Sequence, residues 1–254
     1  TNLTDEFENV RIKTSKYINA ESTDNIIFTK SATEAINLVA NCFSEKYLEY
    51  GDEVLLSYLE HHANIVPWQI AAKKRGFKIV TININEEGGL DYDDMIKKIN
   101  SKTKLISITH MSNVIGTTVD IQIIKENAKK FNIPFLIDGC QYIAHAPVDV
   151  RNLDCDFYVY SGHKLYGPSG VGVLYMKSQW FDQFDPYQGG GSMIDKVDFA
   201  KTTFASGYQK FEAGTPPIAQ VIGLGASYDF ISRFNLNEIF SYEKELYQYT
   251  VEKM

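Results

Sequence analysis

Apolar residues along this chain keep two rhythms, and they alternate. Residues 4–19 carry Phe7, Val10, Ile12, Tyr17 and Ile18 at helical spacing, with few breakers. Residues 25–29 then form a short extended run. From Ser31 the pattern turns helical again, with Ala35, Leu38, Val39, Cys42 and Phe43 on one face. Ser31 followed by Glu34 is a capping-box signature. Further strands are predicted at 53–57, 77–82, 104–109, 134–138, 157–160 and 171–176. Helices are predicted in the segment after His61-His62 and at 92–99, 121–131, 218–234 and over the charged last twenty residues. Residues between Met176 and Ile218 read as aromatic and Gly-rich loops. Strands alternating with helices at this spacing predict an α/β fold with an open, mainly parallel sheet of seven strands.

In such sheets a ligand binds at the carboxyl ends of the strands. His61, Asn113, Asp138, Ser161, His163 and Lys164 all fall at the carboxyl ends of predicted strands or in the turns that follow, so they are expected on one rim. The first strand feeds straight into the Ser31-capped helix, whose free N–H groups suit a phosphate.

Bulk properties narrow the chemistry. The chain has 254 residues, 44% apolar and 22% charged, with a net charge of -7. That acidity, with no basic cluster longer than a pair, argues against nucleic acid. No apolar run is long enough to span a membrane. The three cysteines, Cys42, Cys140 and Cys155, are scattered and show no metal spacing, so a reducing cytoplasm is the expected compartment. The chain does not begin with methionine, and SYEKELYQYTVEKM stops within a helical pattern. A piece of a longer chain is therefore expected.

A lysine beside a histidine on a glycine hinge, at the end of a buried strand, is an unusual placement. Desolvated in a cleft, Lys164 would be a usable amine for Schiff-base chemistry with a carbonyl cofactor. Asp138, three residues before Gln141, is a carboxylate at a buried rim and needs a cationic or hydrogen-bonding partner. Pyridoxal phosphate would satisfy both. Its ring nitrogen would pair with Asp138, its phosphate with Thr33, Ser161 and His163, and its ring face with a stacked histidine. A nicotinamide cofactor accounts for these residues less well, since no G-x-G-x-x-G occurs, and no P-loop motif is present.

Seven motifs in order carry a resemblance: S-A-T-E-x-x-N, E-H-H-A-N-I-V-P-W, H-M-S-N-V-I-G, D-G-x-Q, S-G-H-K-L-Y-G-P, G-G-G-S-M and F-E-A-G-T-P. Together they resemble the class V aminotransferase superfamily, and within it the SufS/NifS-like cysteine desulfurases of SufS type, from about Phe7 to Phe234. The resemblance implies the fold type I of pyridoxal-phosphate-dependent transferases. Residues 1–234 would be the cofactor-binding large domain, without its N-terminal arm. Residues 235–254 would be a connecting helix towards a C-terminal small domain outside the sequence.

The resemblance also implies roles. Lys164 would bond the cofactor's aldehyde, Asp138 would face the pyridine nitrogen, and Gln141 the phenolic oxygen. His61 would stack on the ring and handle protons. The backbone of Ala32, with Thr33, Ser161 and His163, would bind phosphate, and Asn113 would lie beside substrate and cofactor. Thr215 would reach the phosphate in a neighbouring subunit, making a homodimer. The implied activity converts L-cysteine to L-alanine and passes the sulfur as a persulfide to an acceptor protein of iron-sulfur cluster assembly. A selenocysteine lyase acting on L-selenocysteine, another class V aminotransferase, and a non-catalytic scaffold are the alternatives. In this family the persulfide-forming cysteine and the carboxylate-binding arginine belong to the small domain, so both are expected outside this segment. Ala32 replaces a threonine common in SufS-type members, and Cys140 stands where a small residue is usual.

Overall fold

The computed structural model describes residues 2–254. Its centre is a seven-stranded sheet in the order β1-β7-β6-β5-β4-β2-β3. The strands are β1 (Ile26–Thr29), β2 (Glu53–Ser57), β3 (Lys78–Ile82), β4 (Thr103–Thr109), β5 (Phe135–Asp138), β6 (Phe157–Ser161) and β7 (Gly172–Met176). Only β7 runs against its neighbours, β6 and β1. The link from β6 to β7 is too short for a helical crossover, which parallel pairing requires, so the chain returns antiparallel.

Both faces of the sheet are buried, and alternate residues serve each. On β5, Phe135 and Ile137 join one apolar cluster and Leu136 the other; on β6, Tyr158 and Tyr160 oppose Phe157 and Val159. The first cluster is completed by α1 (Asn2–Tyr17), α4 (Tyr92–Lys98), α5 (Ile121–Phe131) and α7 (Ile218–Ile231). The second is completed by α2 (Ala32–Tyr47) and α3 (Val66–Arg75), with Phe43 and Trp68 fully buried. A short helix, α6 (Val150–Leu153), precedes β6. This is the mainly parallel α/β architecture the hydrophobic rhythm predicts.

Two segments differ from the sequence expectation. The stretch predicted as loop contains a hairpin, β8 (Ile194–Val197) with β9 (Thr202–Phe204). Its residues are nearly all exposed, so no buried face imposes a readable alternation. The apolar helix predicted to about Phe234 ends at Ile231, and α8 (Leu236–Lys253) follows after a break capped by Asn235. No residue of α8 is buried. Its links to the body include a His145–Glu243 pair at 2.9 Å and a Tyr142–Phe240 ring contact. No helix among the described residues is long and apolar enough to cross a membrane.

Candidate active site

The ends of β1, β2, β4, β5 and β6 meet on one rim, where a cavity of about 260 Å3 opens. Its walls include Ala32, Thr33, His61, Asn113, Asp138, Gln141, Ser161, His163 and Lys164. These residues come from five separate segments of the chain. Thr215 is the one candidate outside it; that residue lines a smaller neighbouring hollow with Lys30, Glu34 and Tyr187. A larger hollow of about 900 Å3 lies at the opposite rim, near the starts of β4 and β5, and contains none of the candidate residues.

Asp138 ends β5, is 4% exposed, and accepts the Cys140 N–H at 3.0 Å. Among the described residues no ion pair neutralises it. Burial raises its pKa above the usual carboxylate range; hydrogen bonds from Cys140 and the charges of His61 and Lys164 oppose the rise. Gly139 follows because Tyr158 packs against the turn: a Cβ there would lie 2.1 Å from the Tyr158 hydroxyl.

The N-terminus of α2 forms the opposite wall. Ser31 caps it by accepting the Glu34 N–H at 3.3 Å. The expected capping box is altered, because the Glu34 carboxylate takes the Lys30 N–H instead of that of Ser31. The expected free N–H of Ala32 is also engaged. It donates to Ser161 Oγ at 2.9 Å, which ties the helix start to the end of β6. The approach is close enough that a Cβ on Gly172 of β7 would fall 2.3 Å from the Ser31 carbonyl carbon.

His163 and Lys164 lie on a 3-10 turn, Gly162–Leu165, directly after β6. Both are exposed. The expectation of a desolvated Lys164 is therefore corrected: in this chain the cavity is an open cup, and the turn carrying the lysine stands at its lip. His61 is also exposed, and its Nδ1 accepts the Ala63 N–H at 3.1 Å. That bond leaves the proton of a neutral ring on Nε2.

Sequence reasoning gave no role to Glu60, the first residue of E-H-H-A-N. It is 8% exposed and accepts three hydrogen bonds, from Ser57 Oγ at 2.5 Å, Asn64 Nδ2 at 2.7 Å and the Thr109 N–H at 2.9 Å. Burial pushes its carboxyl up to about 7, aided by the nearby Asp138 charge and opposed by these bonds. Its one signal in the sequence was a glutamate three residues past the end of an apolar strand, weaker than that of Asp138, which ends its strand.

The residues present fit pyridoxal phosphate. A buried carboxylate without a cationic partner suits a protonated ring nitrogen, hydroxyls at a helix N-terminus suit a phosphate, and an exposed amine faces the space between them. Among the described residues no group of three or more His, Cys, Asp or Glu side chains is arranged for a metal.

The family described as aminotransferase class-V matches residues 1–254. A cysteine desulfurase of Serratia proteamaculans (strain 568) is 46% identical over 252 residues, covering 99% of this chain and 62% of that protein. One from Wigglesworthia glossinidia brevipalpis is 45% identical over 255 residues, covering 100% of this chain and 62% of that protein. Among solved structures, the cysteine desulfurase CsdA (S-sulfonic acid) of Escherichia coli superposes with a TM-score of 0.90 at 39% identity, over 93% of this chain and 59% of that one. The apo cysteine desulfurase of Thermococcus onnurineus NA1 gives 0.93 at 35% identity, over 98% and 62%. The chain thus spans about 62% of the length of the curated relatives it matches. The chain belongs to the class-V aminotransferase family, and the relatives it resembles there are cysteine desulfurases.

Proposed function

We propose that these residues are the cofactor-binding part of a pyridoxal-phosphate-dependent cysteine desulfurase. The observation that carries the reading is the single cup holding Lys164, the buried Asp138 and the N-terminus of α2. Bound there, pyridoxal phosphate supplies an electron sink for the charge left when the substrate's Cα proton departs. Lys164 Nζ would hold the cofactor by its aldehyde. Asp138 keeps the ring nitrogen protonated, and Gln141 donates to the phenolic oxygen. Thr33, Ser161 and His163 hold the phosphate at the positive end of α2. His61, with Nε2–H free, packs on the ring and moves protons, and Asn113 flanks the substrate.

The substrate is L-cysteine, or L-selenocysteine if the enzyme is a lyase of that kind. A thiolate outside these residues attacks the substrate sulfur. An S–S bond forms and the C–S bond breaks with its electron pair left on the substrate carbon, which takes up a proton; with the Cα proton returned, the skeleton leaves as alanine. The protein works as a homodimer in the cytoplasm, with Thr215 reaching the partner's phosphate, and passes sulfur to an acceptor protein of iron-sulfur assembly. Residues 1–234 act as the large domain and 235–254 as the helix leading from it.

The full-length protein should show a near-visible absorption band that borohydride abolishes, fixing the cofactor's mass on the peptide containing Lys164. Lys164→Ala should lose the band. Label on another lysine overturns the reading, as does a protein that never takes up the cofactor. Comparing sulfide with selenide release separates the two substrates.

A further inference from the structure

The turn that carries His61 is held by a hydrogen-bond network with a fixed polarity. Trp68 Nε1, which can only donate, points at Asn64 Oδ1 at 3.1 Å. Ser107 Oγ donates to the same oxygen at 2.6 Å. The Asn64 amide is thereby locked, with its NH2 aimed at Glu60 Oε2. Glu60 Oε1 meets another obligate donor, the Thr109 backbone N–H. Both oxygens of Glu60 must therefore accept. Position 60 joins β2 through Ser57, the 3-10 turn His62–Asn64 through Asn64, and the end of β4 through Thr109. Thr109 is also the register partner of Asp138 in the β4–β5 pair and lines the cavity itself.

We infer that Glu60 is a positioning residue: its two acceptor oxygens pin the His61 turn to the end of β4, and so fix His61 against the cup that holds Asp138. The inference rests on the proposed cofactor site for its functional consequence, but the pin itself is a property of the network. An amide cannot replace the carboxyl in either orientation. Glutamine at position 60 would set its NH2 against the Asn64 NH2 in one rotamer and against the Thr109 N–H in the other. Moving the carboxylate across the bond restores the pattern. In the pair Glu60→Gln with Asn64→Asp, the introduced amide donates its NH2 to one oxygen of the introduced carboxylate. The other carboxylate oxygen accepts from Trp68 and Ser107, and the amide oxygen accepts from Ser57 and Thr109.

The test uses the full-length protein with three variants: Glu60→Gln, Asn64→Asp, and the two combined. Each is measured as apoprotein by thermal melting. Each is measured again after loading with pyridoxal phosphate, by visible circular dichroism of the bound ring and by sulfide release from cysteine. Glu60→Gln should melt about 5 °C lower, lose most of the ring dichroism, and turn over about 100-fold more slowly with little change in KM. The double variant should recover the dichroism fully and turnover to within about 3-fold, a recovery that general destabilisation would not give. If Glu60→Gln does not fold, a double variant that folds with parental dichroism supports the pin, and one that does not fold overturns it. A Glu60→Gln protein with parental melting and dichroism overturns it, as does a double variant no better than the single. If the parent itself takes up no cofactor, the proposed function fails, while the apoprotein melts still decide the pin.

Discussion

Glu60 and Asp138 are two carboxyls buried within one neighbourhood, and burial sets the sign of their pH dependence. Glu60 ionises near 7 in the fold against an ordinary value of 4.5. A carboxyl raised in the folded state favours folding fully below its unfolded pKa and loses that advantage as pH rises through the folded one. Asp138, raised in the same direction, adds to the trend. His110, buried with its pKa lowered to about 3, acts oppositely and costs stability as pH falls below its unfolded value. The gap at Glu60 corresponds to about 3 kcal/mol. Between pH 5 and 8 the parent should lose about that much more stability than Glu60→Gln does, read from urea titrations at each pH. Parallel curves for the two proteins would remove Glu60 as the titrating group. The candidate site was largely legible at this scale because lysine, aspartate and histidine at strand ends are out of place unless they do chemistry. Glu60 escaped because its partners, Ser57, Asn64, Thr109 and Trp68, are brought together only by the fold. The desolvation expected for Lys164 failed for a related reason: burial of a strand says nothing about what covers the turn after it.

The elements were legible where one face is buried and opaque where none is. Strands such as β4 and β5 carry side chains to two apolar clusters, and helices such as α2 must present Ala35, Val39 and Phe43 to the sheet. That requirement writes the period into the sequence. The β8–β9 ribbon buries almost nothing and so leaves no period. Contacts between elements were less visible, and the junction of α2 with β7 is the clearest case. The first turn of α2 rests on Gly172, where backbone atoms of Ser31 occupy the space a Cβ would need. Gly172→Ala should push the helix start away from Ser161, breaking the Ala32–Ser161 bond that shapes the proposed phosphate site. Overpacking of this kind costs about 1–3 kcal/mol. Since the displaced atoms belong to the wall of the proposed cofactor site, affinity for pyridoxal phosphate should fall further than the melting temperature alone predicts. Equilibrium dialysis beside a thermal melt checks this. An alanine protein with parental affinity would mean that α2 yields without disturbing the wall.

Across the whole molecule the cup is built and open, but none of the three cysteines is equipped to attack sulfur. An attacking cysteine must be exposed and readily deprotonated. Cys42 is buried on α2, donates to the Asp185 carbonyl at 3.1 Å, and is pushed up to about 12, chiefly by burial. Cys155 is fully buried in the core just before β6, and burial again raises its thiol. Cys140 lines the cavity, but burial and the adjacent Asp138 charge push its thiol well above the ordinary range. It also stands beside Asp138, on the ring-nitrogen side of the proposed cofactor. The open side of the cup, by contrast, carries the exposed Lys164, His61 and Asn113, and a nucleophile reaching substrate there needs no passage through the core. The full-length protein, treated with cysteine and then alkylated, should therefore carry its persulfide on a thiol other than these three. Cys140→Ala should keep sulfide release within about 3-fold of the parent, since it removes no reacting group and poor orientation is the only route to a larger loss. The 254 residues by themselves should release almost no sulfide under reductant. Mass mapping of the persulfide decides the matter: found on Cys140, and lost together with turnover in Cys140→Ala, it would place the nucleophile inside this chain and overturn the division of labour proposed above.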